Sequence, residues 1–410
     1  MIDFKPFKST YLFLFLLLNF QLISYAQKLK LIQINTKGKI TTVKTGAERT
    51  NLYLHLLKDK NIAIVANQTS VLEKRDQKIA KREFVHIVDS LISLHINIKK
   101  VFAPEHGFRG KADAGEVIAD GLDKKTNLPI VSLYGKNKKP TAEQLKGIDL
   151  VIFDIQDVGA RFYTYISSLH YVMEACAEFQ IPVIILDRPN PNAHYIDGPV
   201  LDLEYKSFVG MHKVPVVYGM TIGEYGKMIN GEHWLKNGIK CDITVIPLAH
   251  YKHQNKYRLP IKPSPNLPNT KSINLYPSLC FFEGTNVSAG RGTAMQFQVY
   301  GSPFLSKNKF SYTPQANEGA KYPKYKNKIC FGEDLRNTEN LSKLDISYLI
   351  KAYKQNTSKE FFNNFFTKLA GTTKLQQQIE KGLSETAIRK SWQKGIKAFK
   401  KVRAQYLIYE

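Results

Sequence analysis

Three acid-bearing segments of this 410-residue chain each follow an apolar run directly: Pro104-Glu105-His106-Gly107, Asp154-Ile155-Gln156-Asp157 and Asp187-Arg188-Pro189. The carboxyl ends of parallel strands form the ligand edge of an open α/β sheet, so acids in these positions can converge on one site. Glu105 is the sharpest candidate. Pro104, Gly107 and Gly110 have little helix or strand tendency, and they crowd Glu105, His106 and Arg109 into one tight connection. A carboxylic acid that protonates a leaving oxygen, with a second carboxylate that activates water or takes up the glycosyl group, is the machinery of a glycoside hydrolase. Glu105 fits the first role, and Asp154, Asp157 and Glu283 are candidates for the second. Glu283 lies in FFEGTN (281–286), beside aromatic rings able to meet sugar faces. The same residues also fit blander roles, Glu105 as an exposed loop acid and Glu283 as a structural partner of Arg291.

Arg109, Arg161, Arg188 and Arg291 all fall in or beside these Gly- and Pro-containing segments. A planar guanidinium grips a carboxylate bidentately, so one or two of them could hold an acidic substituent of a substrate while others orient the acids. His106, Asp154, Asp157 and Asp187 could instead ligate a divalent metal in a hydrolase, although no HExxH or comparably specific spacing is present. No GxGxxG follows the early strands, so a dinucleotide cofactor is not expected. Cys176, Cys241, Cys280 and Cys330 are widely spaced without a CxxC pair, which permits several disulfide pairings or free buried thiols and argues against a cysteine zinc site.

The elements that must position these residues read as α/β. Residues 61–66 (NIAIVA), 100–103, 148–155 (IDLVIFDI) and 181–186 (IPVIIL) are β-branched apolar runs with little polar alternation. They are separated by segments of helical periodicity at 46–58, 82–94 and 162–179. Such a series predicts a parallel sheet covered on both faces. The expected architecture is a Rossmann-like, doubly wound domain over residues 27–210, with a smaller C-terminal α/β domain over 211–410; a complete TIM barrel is the alternative, but the later chain loses the cadence. Beyond residue 220 the pattern predicts a helix and a strand ending at 246, a long ordered loop at 260–277, and a Lys/Tyr/Asn-rich polar insertion at 308–328. A terminal helix should bury Ile388, Trp392, Ile396, Phe399 and Val402 while its lysines face water.

The composition is that of a globular protein with a core, at 43% hydrophobic residues, and the formal charge is +24. Such a surplus ordinarily suggests nucleic acid. The first residues redirect it: Lys5 and Lys8 precede the apolar run at 11–18 (YLFLFLLL), and Ser24 and Ala26 suit a signal peptidase. Residues 1–26 therefore read as a signal peptide. The mature chain, at about +23, is expected in the periplasm or outside the cell, with no later membrane-spanning segment. There an anionic envelope polymer replaces nucleic acid as the expected partner.

VFAPEHGFRG at 101–110, FDIQDVGARFYTY at 153–165, DRPNP at 187–191, SPNLP at 264–268 and FEGTNVSAGRGT at 282–293 together resemble the exo-β-N-acetylmuramidase family related to NamZ, long described only as a domain of unknown function. The likeness covers nearly all of the mature chain. It implies release of terminal N-acetylmuramic acid (MurNAc) from the non-reducing end of peptidoglycan-derived glycans such as MurNAc-GlcNAc. It also implies a site between a Rossmann-like region and a C-terminal α/β region, with no cofactor and no required metal. By this resemblance Glu105 is the catalytic acid, with Glu283 and Asp157 as further catalytic candidates. His106, Arg109, Asp154, Gln156, Arg161, Tyr163, Arg188, Asn266, Asn286 and Arg291 are the candidates for positioning or substrate contact. A metal-dependent envelope hydrolase and a non-catalytic peptidoglycan-binding protein are the competing readings.

Overall fold

A computed structural model describes residues 33–34, 40–75, 82–109, 120–307 and 309–410. The expected signal peptide lies outside the described residues, as does Gly110. The chain forms two compact units, Met1–Lys44 and Thr45–Glu410. In the first, β1 (Gln33–Ile34) and β2 (Ile40–Thr41) pair antiparallel, with Gln33 opposite Thr41.

In the second unit, β3 (Ile62–Ala66) is followed by a hairpin of β4 (Val71–Arg75) and β5 (Arg82–His86), helix α1 (Ile87–Ser93) and β6 (Ile98–Ala103). Next come β7 (Gly121–Leu122), β8 (Pro129–Ser132), the short helix α2 (Ala142–Leu145) and β9 (Leu150–Asp154). Helix α3 (Tyr165–Glu178), β10 (Val183–Leu186), helix α4 (Ile222–Gly231) and β11 (Ile243–Ile246) complete the sheet. In space the seven strands run β11-β10-β9-β3-β6-β8-β7, parallel except for β7 against β8. The six parallel strands thus adopt the Rossmann order, with the switch point between β3 and β9. The edge strand β11 lies beyond residue 210, so the sheet draws on more of the chain than residues 27–210.

The strands are apolar on both faces because both faces are covered. Val65, Phe102, Val151, Phe153, Val183 and Ile185 point into the larger core with α3 and α4. Their alternates Ile64, Val101, Ile152, Ile184 and Leu186 meet α1 and the turns around Tyr53 and Leu57. The larger core runs on into the C-terminal part without a break. That part comprises α5 (Thr270–Leu279), β12 (Val299–Ser302), β13 (Phe310–Tyr312), β14 (Cys330–Asp334), α6 (Ser347–Gln355), α7 (Phe366–Ala370), α8 (Lys374–Glu380) and α9 (Glu385–Arg403). Its strands form a separate three-stranded antiparallel sheet in the order β12-β14-β13. The doubly wound first part and smaller α/β second part expected from the sequence are what the chain builds.

Three local expectations need correction. Residues 46–58 form successive 3-10 turns, not one helix, and Gly46 sits so close to the sheet that a Cβ would lie 2.4 Å from the Ile246 carbonyl oxygen. The first half of 82–94 is a strand, because residues 82–86 pair with 71–75; the helix begins only after His86, whose Nδ1 accepts from the Val88 N–H. The loop expected at 260–277 gives way to helix at Thr270, capped by the Asn269 side chain. Pro277 inside that helix cannot donate to the Ile273 carbonyl, and the Asn192 amide donates there instead, at 3.1 Å.

The terminal helix α9 buries Ile388, Trp392, Ile396 and Phe399, while its lysines are exposed. Two of its basic groups are structural: Arg389 pairs with Asp197 at 2.6 Å, and Arg403 donates to the Gly219 carbonyl at 2.9 Å. All four cysteines are free and buried. Among the described residues no helix is long and apolar enough to cross a membrane.

Candidate active site

Glu105 stands where β6 ends. His106 and Gly107 both adopt left-handed backbone, with φ of 72° and 76°, and the Gly107 N–H closes the turn onto the Pro104 carbonyl. Glycine meets that conformation without strain, whereas the buried His106 must be held in it by its surroundings. The turn swings the Glu105 carboxylate toward two hydroxyl donors. Tyr134, just past β8, donates to Oε1 at 2.9 Å; Thr164, at the start of α3, donates to Oε2 at 2.7 Å. Hydroxyls can both donate and accept, so this pair can follow the carboxyl group through either protonation state. Tyr165 fixes the backbone beneath: its hydroxyl donates to the Glu105 carbonyl at 3.3 Å and accepts from the Asn67 amide at 2.8 Å. Asn67 follows β3, so the switch-point strand supports the turn that carries the acid.

A cluster of buried phenols links Glu105 to the other candidate acids. The Tyr163 ring meets those of Tyr165 and Tyr276 edge-on, with centroids 4.9 Å and 5.8 Å away, and its hydroxyl donates to the Pro263 carbonyl at 2.8 Å. Burial pushes the Tyr276 phenol well above its ordinary pKa, and Cys280, Glu105 and Glu283 add to the rise. Tyr165 is likewise raised by burial first, then by Glu105 and, more weakly, by Asp157. Glu105 is thus bonded to this cluster through the Tyr165 hydroxyl, and Glu283 and Asp157 lie within electrostatic reach of its members. The side chains of Glu283 and Arg291 are 28% and 23% exposed and 3.4 Å apart, so this pair stays open to solvent. Arg291 also approaches the Gly319 carbonyl at 3.4 Å, an oxygen that accepts from the Asn266 amide at 2.5 Å.

Asp157 is deeply buried. Its Oδ2 accepts from the Gly159 N–H at 2.7 Å and from the Tyr218 hydroxyl, while its equally buried Oδ1 has no partner within full hydrogen-bond geometry among the described residues. Burial raises its pKa to about 6, against the lowering effect of those donors.

Most of the remaining candidates are committed to holding the scaffold. Asp154 and Arg188 form a buried bidentate pair, at 2.6 and 2.8 Å. Arg109 grips Asp123 through two nitrogens, at 3.1 and 2.7 Å, over the Phe108 ring. Arg161 is wholly buried and donates to the carbonyls of Pro199, Val214, Leu369 and Ala370, tying the two parts of the unit together. Burial lowers its pKa to about 9. The Gln156 amide donates to the Asp157 and Pro189 carbonyls, both at 2.7 Å, and the Asn286 amide holds Asn356 and the Glu360 carbonyl. Asp187, raised to about 7 chiefly by burial, accepts from Thr221, the Gly223 N–H and the Tyr409 hydroxyl, so it anchors the C-terminus. Of the four arginines, Arg188 is locked in the buried pair with Asp154, and Arg291 is the one placed beside Glu283 with its guanidinium partly exposed. Among the described residues, no three or more His, Cys, Asp or Glu side chains gather as a metal site.

Sequence reasoning did not single out Tyr134, Thr164, Tyr165 and Tyr276. Thr164 and Tyr165 stood in plain view, as hydroxyl residues at the mouth of a helix following a candidate strand. Tyr134 and Tyr276 carry no local signal, because their strand and helix were not read as such.

Residues 62–271 match the family model described as exo-beta-N-acetylmuramidase NamZ, N-terminal, and residues 274–409 match its C-terminal counterpart. The chain is similar to the peptidoglycan beta-N-acetylmuramidase NamZ of Bacillus subtilis, at 38% identity over 400 residues, covering 92% of this chain and 93% of the relative. Two crystal structures of DUF1343 family proteins from Bacteroides fragilis share the fold. One has a TM-score of 0.82 at 45% identity and the other 0.73 at 27%, each comparison covering 90% of this chain and 99% of the other. With both halves matched in order and a relative aligned along nearly its whole length, the chain belongs to the NamZ exo-β-N-acetylmuramidase family.

Proposed function

We propose that this protein is an exo-acting glycosidase that hydrolyses terminal MurNAc from the non-reducing end of peptidoglycan-derived glycans, with MurNAc-GlcNAc as the smallest substrate, in the periplasm or outside the cell. Family membership over both halves supports the reaction. The observation that carries the assignment of roles is the Glu105 carboxylate held at a strand end by the Tyr134 and Thr164 hydroxyls, with the partly exposed Glu283–Arg291 pair in electrostatic reach of the same Tyr276 phenol. Glu105, supported by Tyr134 and Thr164, protonates the glycosidic oxygen as the bond to the sugar breaks. Glu283, on the loop from the C-terminal half, is the second carboxylate, acting on water or on the anomeric carbon. Asp157 is buried and holds Tyr218 and the turn at Gly159. MurNAc carries a lactyl carboxylate, and Arg291 is the guanidinium that reads it, since Arg109, Arg161 and Arg188 are spent on Asp123, backbone carbonyls and Asp154.

Incubating the mature protein with MurNAc-GlcNAc and with GlcNAc-MurNAc, and resolving products by mass spectrometry, tests the reading. Release of MurNAc from the first and inertness of the second are expected. An inert MurNAc-GlcNAc sinks it. Loss of activity on chelation with recovery on adding a divalent metal transfers the assignment to a metal-dependent hydrolase.

A further inference from the structure

The Lys/Tyr/Asn-rich stretch that reads as a polar insertion is bonded along its length to the loop carrying Glu283 and Arg291. Lys324 Nζ donates to three carbonyls of that loop, Phe282 at 3.2 Å, Thr285 at 2.5 Å and Val287 at 3.1 Å. The Tyr325 hydroxyl donates to the Asn286 carbonyl at 2.6 Å, and that of Tyr312 to the Ser288 carbonyl at 3.0 Å. Further along, the Gln315 N–H donates to the Gly292 carbonyl at 2.7 Å and the Asn317 amide to the Thr293 carbonyl at 3.2 Å. Seven carbonyls of the loop thus take donors from residues 312–325. Packing is equally close: at Gly292, with φ of 80°, a Cβ would lie 2.6 Å from Pro323 Cβ and 2.7 Å from the Gln315 carbonyl oxygen.

A surface insertion has no need of this. Beyond the 3-10 turn Cys280–Gly284 and the bridges of Thr285 to Phe362 and Ser288 to Gly301, the irregular part of this loop would otherwise turn its carbonyls to water. An ammonium group has three divergent donors, which is what three carbonyls converging on one point require. The same ammonium lies within electrostatic reach of both Glu283 and Arg291.

We propose that residues 312–325 form a clamp that holds the Glu283–Arg291 loop in its working geometry, and that Lys324 is its positioning residue. This rests on Glu283 being the second carboxylate. Lys324 touches no reacting atom and acts on the Glu283 end of the loop, through Phe282, Thr285 and Val287, while Gln315 and Asn317 hold the Arg291 end, so its removal costs turnover more than binding of the MurNAc carboxylate.

The test uses steady-state kinetics on MurNAc-GlcNAc with the full mature chain as wild type, Lys324→Met, Glu283→Gln and the double variant, each with its melting temperature. The clamp predicts that Lys324→Met lowers kcat at least tenfold with KM changed less than threefold. In the Glu283→Gln background the same substitution should cost less than twofold more, because residues acting as one unit are not additive. Equal losses in both backgrounds would show that Lys324 supports only the fold and would overturn the proposal. So would full kcat in Lys324→Met while Glu283→Gln is impaired, a result that leaves the site reading intact. Full activity in Glu283→Gln overturns the role of Glu283 and the clamp with it. Should Lys324→Met not fold, Tyr325→Phe, which removes the hydroxyl bonded to the Asn286 carbonyl, decides in the same way, with a threefold or larger fall in kcat expected and an unchanged kcat contradicting the clamp.

Discussion

The two loops that carry the candidate carboxylates are built on opposite principles. The Glu105 turn is short, closes over two left-handed residues at a strand end, and is gripped through its side chain by hydroxyls from β8 and α3. The Glu283 segment opens as the 3-10 turn Cys280–Gly284, runs on as irregular chain, and is gripped through its backbone carbonyls by a segment further along the chain. A sheet edge fixes a residue by the geometry of regular structure, whereas a loop outside a sheet needs another loop to fix it. The difference predicts where each half can be broken. The first fails when a side-chain contact is lost, and the second when a backbone support is lost.

The largest expected effect is that of Glu105→Gln, which keeps shape and hydrogen bonding but cannot give up a proton; kcat on MurNAc-GlcNAc should fall by roughly a thousandfold. Next, Arg291→Met should lower kcat/KM for MurNAc-GlcNAc by about a hundredfold while sparing an analogue without the lactyl carboxylate, measured in competition. Thr164→Val and Tyr134→Phe each remove one donor to Glu105, and each should cost about tenfold in kcat with melting temperature little changed. Arg161→Met sharpens the contrast from the other side. It should lower stability to denaturant by about 3 kcal/mol, because four buried carbonyls lose a charged donor, and leave kcat per folded molecule unchanged.

The last effect concerns pH and leaves turnover aside. Burial raises Asp157 to about 6, so the folded protein keeps a proton that the unfolded chain has already released. Stability from this group is therefore full at acid pH, declines as pH rises from about 4 through about 6, and is flat above. Asp157→Asn retains an acceptor for Tyr218 or Gly159 and removes that slope. Relative to wild type it should gain up to about 3 kcal/mol between acid and mildly alkaline pH, read by denaturant unfolding at both ends. Asp187, raised to about 7, contributes a slope of the same sign that survives in the variant.

The same contrast explains what the sequence could reveal. Strands β3, β9 and β10 were legible because a parallel sheet buried on both faces writes itself as unbroken apolar runs, and Glu105 was legible as the acid that follows such a run. The hairpin of β4 and β5 was not, since half of residues 82–94 carries mixed polar and apolar side chains that suit either state until its partner strand is known. Arg161 and Arg188 look no different in sequence from Arg291. Only the fold shows that the first lies under four carbonyls and the second against Asp154, whereas the pairing of the third with Glu283 is already among the alternatives the sequence offers. The clamp was least legible of all, because hydrogen bonds to backbone carbonyls demand donors of no particular pattern, and Lys, Tyr, Asn and Gln are also what a solvent-facing insertion contains.

The central claim is that Glu105 delivers the proton to the departing sugar oxygen. The most direct measurement compares wild type and Glu105→Gln on MurNAc-GlcNAc and on a nitrophenyl β-glycoside of MurNAc, whose leaving group departs without protonation. The account predicts a loss of roughly a thousandfold on the disaccharide and less than about tenfold on cleavage of the aryl bond. Equal losses on the two substrates, or no loss on the disaccharide, would contradict it.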